Sequence, residues 1–364
     1  MRLSPTLSFY FARRFLVGVV IIFLAFAALG FVIDTVELLR RAAGRPEATF
    51  GVVVSMALLR QPVLQAQLLP FAFLFGGMLS LSRLNRANEL TVARAAGISV
   101  WQFLAPAVIT AFLLGVFVVT VYNPLGSAMV SRYEQVEARF LKGRTSLLAV
   151  SGSGLWLRDS SGDDQIVVHA LRVAQNGLEL NDVILFFYQG SDRFVRRIDA
   201  AHAVLDDGRW QLDDVLITSL DRPAEFLPHY TVETTLTLSR IQNSFASPET
   251  LSFWTLPGFI DTLERAGFSA TRHRLYFYSL LADPFLYCAN VLIAALFSLR
   301  LTRRGGGGWL VSGGIVAGFV LYVMSDLIHA LGLSGNIPVA LAASSPAVIG
   351  LMLGTAGLFH LEDG

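Results

Sequence analysis

The sequence predicts an α-helical membrane protein with six transmembrane helices and an inserted all-β, jellyroll-like domain. Three observations predict it. Of 364 residues, 54% are hydrophobic and only 15% charged, where a soluble domain carries about a quarter charged. Six apolar runs reach the ~20 residues that cross a ~30 Å hydrocarbon layer. Between the third and fourth, from Lys142 to Ser247, no run is long enough to cross, and short segments alternate with a period of two.

The first run, Phe15 to Ile33, carries no charge. It is too long for a signal-peptide core, and no small-residue cleavage site follows it. The second is centred on Val63 to Ser82. The shorter apolar run Gly51 to Leu59 precedes it, interrupted by Arg60, Gln61 and Pro62, so the two read as one long helix kinked at Pro62. The third is Phe103 to Tyr122. In the inserted segment, Leu180-Asn181-Asp182-Val183-Ile184-Leu185 resembles Leu212-Asp213-Asp214-Val215-Leu216-Ile217, each after a turn. Thr231 to Leu238 alternates strictly. Stacked hairpins in a sandwich or open jelly roll follow. Glu249 to Gly267 reads as an amphipathic helix, with Leu251, Trp254, Phe259, Ile260 and Leu263 as its apolar positions. Leu275 to Leu299, Trp309 to Leu331 and Pro338 to Leu358 complete the spans. The organisation is therefore a membrane half at 1–141, a β-domain at 142–247, and a connecting helix with the second membrane half at 248–364.

Basic residues in short loops set orientation. Arg2, Arg13, Arg14, Arg83, Arg86, Arg94, Arg300, Arg303 and Arg304 fall on one side, against Arg40, Arg41 and Arg45 on the other. The larger set is cytoplasmic, which puts both termini inside and the β-domain in the periplasm.

A net charge of +1 and the absence of a basic run with interleaved aromatics exclude a nucleic-acid binder. The single cysteine, Cys288, lies in an apolar run; it makes no internal disulfide or thiolate zinc site and packs as a small hydrophobe. The only lysine, Lys142, lies in Leu141-Lys142-Gly143-Arg144-Thr145, which is not a phosphate-binding loop. Gly305 to Gly308 reads as a flexible cytoplasmic turn. No cofactor or metal is expected, and ATP hydrolysis, if transport is energised, belongs to a partner.

Two clusters carry functional signals. Arg83 to Ser99 reads as a cytoplasmic helix, at about 84–97, that stops at Gly97. Leu90, Ala93 and Gly97 share a face, and with the carboxylate of Glu89 they suit a socket on another protein. An ordinary inner-leaflet surface helix has the same spacing. After the first span, Asp34, Glu37 and Arg41 fall on one helical face, with Arg40 beside them. They could hold the phosphates of an amphiphile, or they could be snorkelling ion pairs. Asp283 lies inside the fourth span, where a charge costs at least ~2.5–3.5 kcal/mol. Asp326 and His329 are three apart near the outer end of the fifth; two ligands do not make a zinc site. Gly314-x-x-x-Gly318 and Gly350-x-x-x-Gly354 permit close helix contact.

These residues resemble the lipopolysaccharide export permeases of the LptF/LptG family, with the C-terminal half closer to LptG. Arg86-Ala87-Asn88-Glu89-Leu90-Thr91-Val92-Ala93-Arg94-Ala95-Ala96-Gly97 is similar to the family's coupling helix. Trp156-Leu157-Arg158 and Trp210-Gln211-Leu212-Asp213-Asp214-Val215 resemble its periplasmic strands. Leu280 to Leu299 with Arg303-Arg304-Gly305-Gly306, and Gly313 to Tyr322, resemble its fourth and fifth spans. The resemblance implies an ABC permease subunit in a Gram-negative inner membrane. It would pair with an LptF-like permease around an apolar cavity, spans one and five forming the lateral gate. An LptB-like ATPase dimer would dock on the coupling helices through Glu89. LptC and an LptA-like bridge would receive lipopolysaccharide. Arg40 and Arg41 match a basic rim for its phosphates, and Asp34 departs from that rim's pattern. Rival readings are a lipoprotein-type ABC permease, disfavoured by the three-domain-three layout, a membrane-embedded lipid-modifying enzyme using Asp283, Asp326 and His329, and a scaffold without transport.

Overall fold

A computed structural model describes residues 5–43, 49–137, 140, 148–151, 154–161, 164–173, 179–189, 193–206, 208–219, 222–234, 247–265, 269–299 and 307–363. The expected turn at 305–306, the Lys142 to Thr145 stretch, the basic residues Arg2, Arg45, Arg300, Arg303 and Arg304, and the end of the alternating run after Thr234 lie outside the described residues.

Six helices are long and apolar enough to cross a membrane. The N-terminal three are α1 (Pro5–Ala42), α2 (Phe50–Arg86) and α4 (Val100–Phe117), with the short α3 (Glu89–Ala95) between the last two. The third helical span does not end at Tyr122. It passes through a π-helical turn, Val118–Tyr122, into α5 (Asn123–Glu137). Pro124 has no N–H to give. The carbonyl of Thr120, four residues before it, receives the indole N–H of Trp254 at 3.1 Å. The C-terminal three are α7 (Thr271–Ser298), α8 (Gly307–Leu333) and α9 (Val339–Asp363). At 38 residues, α1 is ~57 Å long, so it outruns the hydrocarbon layer. Helix α2 is unbroken through Pro62 and Pro70, joining the two apolar runs as the sequence suggests.

The chain divides into two compact units. The membrane unit contains residues 1–141, 249–254 and 271–364. Its interior lies along α2 and α7. Phe73 stacks on Tyr287, ring centroids 4.4 Å apart, Asn290 donates to Pro70 O at 3.0 Å, and Asn85 donates to Ser298 O at 3.1 Å. Helix α1 presses against α2 where Gly18 faces Gly76; a Cβ on Gly76 would lie 2.5 Å from Val19 Cα. The two glycine pairs noted in the sequence are used inside the chain. Gly314 and Gly318 set α8 against Met78 and Leu74 of α2, and Gly350 and Gly354 set α9 against Ala289 and Leu292 of α7. Without a water-driven hydrophobic force in lipid, such close backbone packing supplies much of the association energy.

The second unit contains residues 142–248 and 255–270. It holds one seven-stranded antiparallel sheet in sequential order: β1 (Leu148–Ser151), β2 (Gly154–Ser161), β3 (Asp164–Val173), β4 (Glu179–Gln189), β5 (Arg193–Asp206), β6 (Arg209–Ser219) and β7 (Arg222–Glu233). Each strand pairs with the next in sequence, so the expected hairpins are present as a meander. The internal repeat has a backbone cause. Asp182 in β4 and Asp214 in β6 both adopt left-handed φ, 54° and 53°, a conformation that Asp tolerates better than most residues. Each adds one residue between buried positions, so Leu180 and Val183 face the core together, as do Leu212 and Val215. β5 makes the same step from Ala200 to Ala203, which keeps the three strands in register.

The amphipathic helix is shorter than its sequence pattern. It is α6, Leu256–Arg265, with Pro257 in its first turn. Residues 249–254 do not join it because they are held elsewhere: Phe253 N–H donates to Asn123 Oδ1 at 2.8 Å, and Trp254 is bound at Thr120. Leu256 and Leu263 are fully buried, and α6 groups with the sheet rather than with the membrane helices.

Candidate functional site

The loop between α2 and α4 folds around two residues with positive φ, Asn88 at 59° and Gly97 at 83°. Gly97 N–H donates to Arg94 O at 3.0 Å and Ile98 N–H to Ala93 O at 3.1 Å, the paired bonds that end a helix on a left-handed glycine. Ser99 and Gln102 then cap α4 reciprocally. The helix is therefore Glu89–Ala95, shorter than the expected 84–97, because Asn88 separates it from α2.

Its faces are the reverse of the expected socket. Leu90 and Ala93 are buried, 3% and 8% exposed. Leu90 packs with Phe11, Leu81, Leu84, Val100 and Phe103. These two residues anchor the helix to its own chain, and the outward side carries Thr91, Val92 and Arg94, with Val92 67% exposed. Glu89 is half-buried at the edge. Its Oε2 accepts from the Tyr10 hydroxyl at 2.9 Å, and Arg14 Nε donates to the same Tyr10 oxygen at 3.1 Å. Tyr10 and Arg14, on α1, are residues that spacing could not find; nothing local to the loop points to them.

At the other end of α1, Asp34 is 6% exposed and faces inward, where Arg60 Nη1 donates to it at 2.9 Å. It belongs to the α1–α2 contact rather than to an exposed rim. Arg60, read only as an interruption of an apolar run, is the partner that makes that burial tolerable. Among the described residues, Asp34 Oδ2, Gln61 Nε2 and Gln65 Oε1 are buried without a partner. Glu37 accepts from Arg40 through Nε and Nη2, both at 2.9 Å, and from Arg41 Nε at 2.8 Å. Arg41 also lies 4.0 Å from Glu137. The spacing of 37, 40 and 41 thus produces the ion pairs it allows, and both guanidinium groups share one carboxylate on an exposed surface.

Two spans are conspicuously uncovered. Only 11% of the apolar window is buried in each of α1 and α8. Leu24, Val32, Ile33 and Val36 on α1, and Val316, Phe319, Val320 and Leu327 on α8, are exposed. Between α2, the π-turn, α7 and α8 lies a cavity of about 440 Å³. Asp283, Asp326 and His329, which the sequence left scattered, all line it. Among the described residues no group of three His, Cys, Asp or Glu side chains converges on a metal-sized site.

Comparison with known proteins identifies the family. A family described as lipopolysaccharide export system permease LptF/LptG matches residues 9–360. The chain is 26% identical over 306 residues to the lipopolysaccharide export system permease protein LptG of Escherichia coli strain K12, covering 80% of this chain and 79% of that protein. It is 23% identical over 290 residues to the protein of the same name from Haemophilus influenzae, covering 78% and 79%. The match runs through both membrane halves and the inserted sheet alike, so the chain belongs to the LptF/LptG family of lipopolysaccharide export system permeases.

Proposed function

We propose that this chain is the permease subunit of an ABC exporter that withdraws lipopolysaccharide from the inner membrane and passes it to a periplasmic bridge. A partner ATPase supplies the energy. The observation that carries this reading is the pair of uncovered helices, α1 and α8. An apolar face of that extent needs lipid, a partner helix or a lipid substrate against it. Withdrawing a many-chained lipid costs ~0.8 kcal/mol per methylene that meets water, so its tails need such faces throughout the passage.

The division of labour follows. An LptF-like permease pairs through the α1 and α8 faces and closes the cavity, with these helices as the lateral gate. An LptB-like ATPase dimer docks on the outward side of α3, through Glu89, Val92 and Arg94. Leu90, Ala93 and Gly97 fix that helix in place. Arg40 and Arg41 receive substrate phosphates by exchanging Glu37 for a more highly charged oxyanion. Asp34 holds Arg60 and with it the upper end of α2. LptC and an LptA-like protein receive the lipid beyond the β-domain, which is periplasmic, with both termini cytoplasmic.

Photocrosslinking in cells tests this, with probes at Leu24 on the open face of α1, at Arg41, and at Val92. Lipopolysaccharide adducts at the first two and an ATPase adduct at Val92 support the proposal. An ATPase adduct with no lipid adduct removes the substrate; no adduct at any site in a folded protein removes transport.

A further inference from the structure

We infer that a small pocket between α1 and α2, beside Glu89, binds a phosphate group through Arg14, Arg83 and the Ser80 hydroxyl. It lies at the opposite end of α1 from the arginines proposed to meet the transported lipid. Arg14 and Arg40 share one helix and are ~39 Å apart along it. Binding in this pocket needs neither the ATPase nor lipopolysaccharide.

The pocket has a volume of about 140 Å³, and Arg14, Gly18, Ser80, Arg83 and Glu89 are among its walls. That volume is below the range of sites for drug-sized ligands and suits one compact group. Two guanidinium groups against one carboxylate leave it net positive. Among the described residues neither arginine is ion-paired. Arg14 Nε donates to the Tyr10 hydroxyl at 3.1 Å, and Glu89 Oε2 accepts from the same hydroxyl at 2.9 Å, so the tyrosine stands between the two charges. Arg14 immediately precedes the uncharged run that starts at Phe15, and Arg83 follows the apolar run that ends at Ser82. Both guanidinium groups therefore sit at the edge of the hydrocarbon, the level at which lipid phosphates lie.

A second observation points the same way. Ser80 is 5% exposed and lines the pocket, yet among the described residues its hydroxyl has no hydrogen-bond partner. Buried polar groups are ordinarily paired, and other hydroxyls in the spans bond back to their own helix. Thr35 donates to Phe31 O, Thr110 to Pro106 O and Thr355 to Leu351 O, each at 2.7 Å. The matching carbonyl for Ser80 is that of Gly76. The α1 backbone packs on it, since a Cβ on Gly18 would lie 2.5 Å from Gly76 O and 3.2 Å from Ser80 Cβ. The hydroxyl is thus left for a ligand, and the missing side chain of Gly18 leaves space beside it. Two guanidinium forks and a hydroxyl donor are the chemistry of phosphate recognition.

The test uses the full chain in dodecyl maltoside, which contains no phosphate. Dioleoyl phosphatidylglycerol is one probe, read by native mass spectrometry, with dioleoylglycerol as the control that has the same chains and no phosphate. Radiolabelled inorganic phosphate is the other probe, read by equilibrium dialysis. Saturable binding of at least one probe is expected, the phospholipid at least about tenfold tighter than dioleoylglycerol, since hydrogen bonds to a charged group are worth about that factor. Arg83→Gln should lower affinity about tenfold or more, and Ser80→Ala about two- to tenfold with the charge unchanged, both with melting temperatures near that of the parent. Arg86→Gln removes the same charge from the same end of α2, outside the pocket, and should keep parental affinity. Three results overturn the site: neither probe binding better than dioleoylglycerol, parental affinity in folded Ser80→Ala, or equal losses in Arg86→Gln and Arg83→Gln, which would mean attraction to a charged surface only. Should Ser80→Ala fail to fold, the comparison of Arg83→Gln with Arg86→Gln decides alone. The probes separate the sources: binding of the phospholipid but not of inorganic phosphate assigns the group to a lipid headgroup, and binding of inorganic phosphate assigns it to a freestanding phosphate. Both support the site.

Discussion

Helices α1 and α7 are both membrane spans, and the contrast between them is instructive. The α1 window is the most apolar of the six, yet only 11% of it is buried, against 67% of the α7 window. α7 carries Asp283, Tyr287, Cys288 and Asn290, and α2, half buried, carries Arg60, Gln61, Gln65 and two prolines. In water the most apolar helix goes inside. In a bilayer the apolar surface already has a matching solvent, and polar groups must find partners within the protein. Apolarity thus marks the face left for lipid, a partner or substrate, and interruptions mark the packed interior.

Breaking the interior should cost most. Gly76→Leu places a side chain against the backbone of Val19; we expect a loss of ~3 kcal/mol or more, read as a collapse of folded protein in detergent melts. Arg60→Ala leaves Asp34 buried and unpaired. Because Arg60 is about a third exposed, the expected cost is ~2 kcal/mol, below the full buried-pair value, and Asp34→Asn in the same chain should recover most of it. Asn290→Leu removes the bond to Pro70 O for ~0.6–1.7 kcal/mol, measured by the same melts.

The outer face should behave in the opposite way. Tyr10→Phe loses the bond that positions Glu89. Its stability cost is ~1 kcal/mol or less, and its larger effect is expected in pull-down of the ATPase. Arg40→Gln, at an exposed position, should leave the melting temperature unchanged while reducing lipopolysaccharide crosslinking at Arg41. A drop in melting temperature without loss of crosslinking would make Arg40 a structural residue and erase the contrast at that position.

Much of the site's location was readable and little of its orientation. The loop between α2 and α4, its glycine stop and the Glu37 ion pairs are local, set by spacings of three and four residues and by the conformation only Gly97 adopts easily. The inward turn of Leu90 and Ala93 was not readable, because their face was apolar and small enough to suit either a partner or the chain's own core. The Asp34–Arg60 pair joins residues 26 apart on different helices, and the Tyr10–Glu89 bond spans 79. No periodicity links such positions.

The sequence by itself determined six spans, an inserted β-domain with an internal repeat, and the family resemblance, because length, hydropathy and backbone preference act over a few residues at a time. Only the tertiary structure decided which spans stand uncovered, which side of α3 faces outward, and that Asp283, Asp326 and His329 share one cavity. Those outcomes depend on helix rotation and packing, and many residues across both halves of the chain contribute to each.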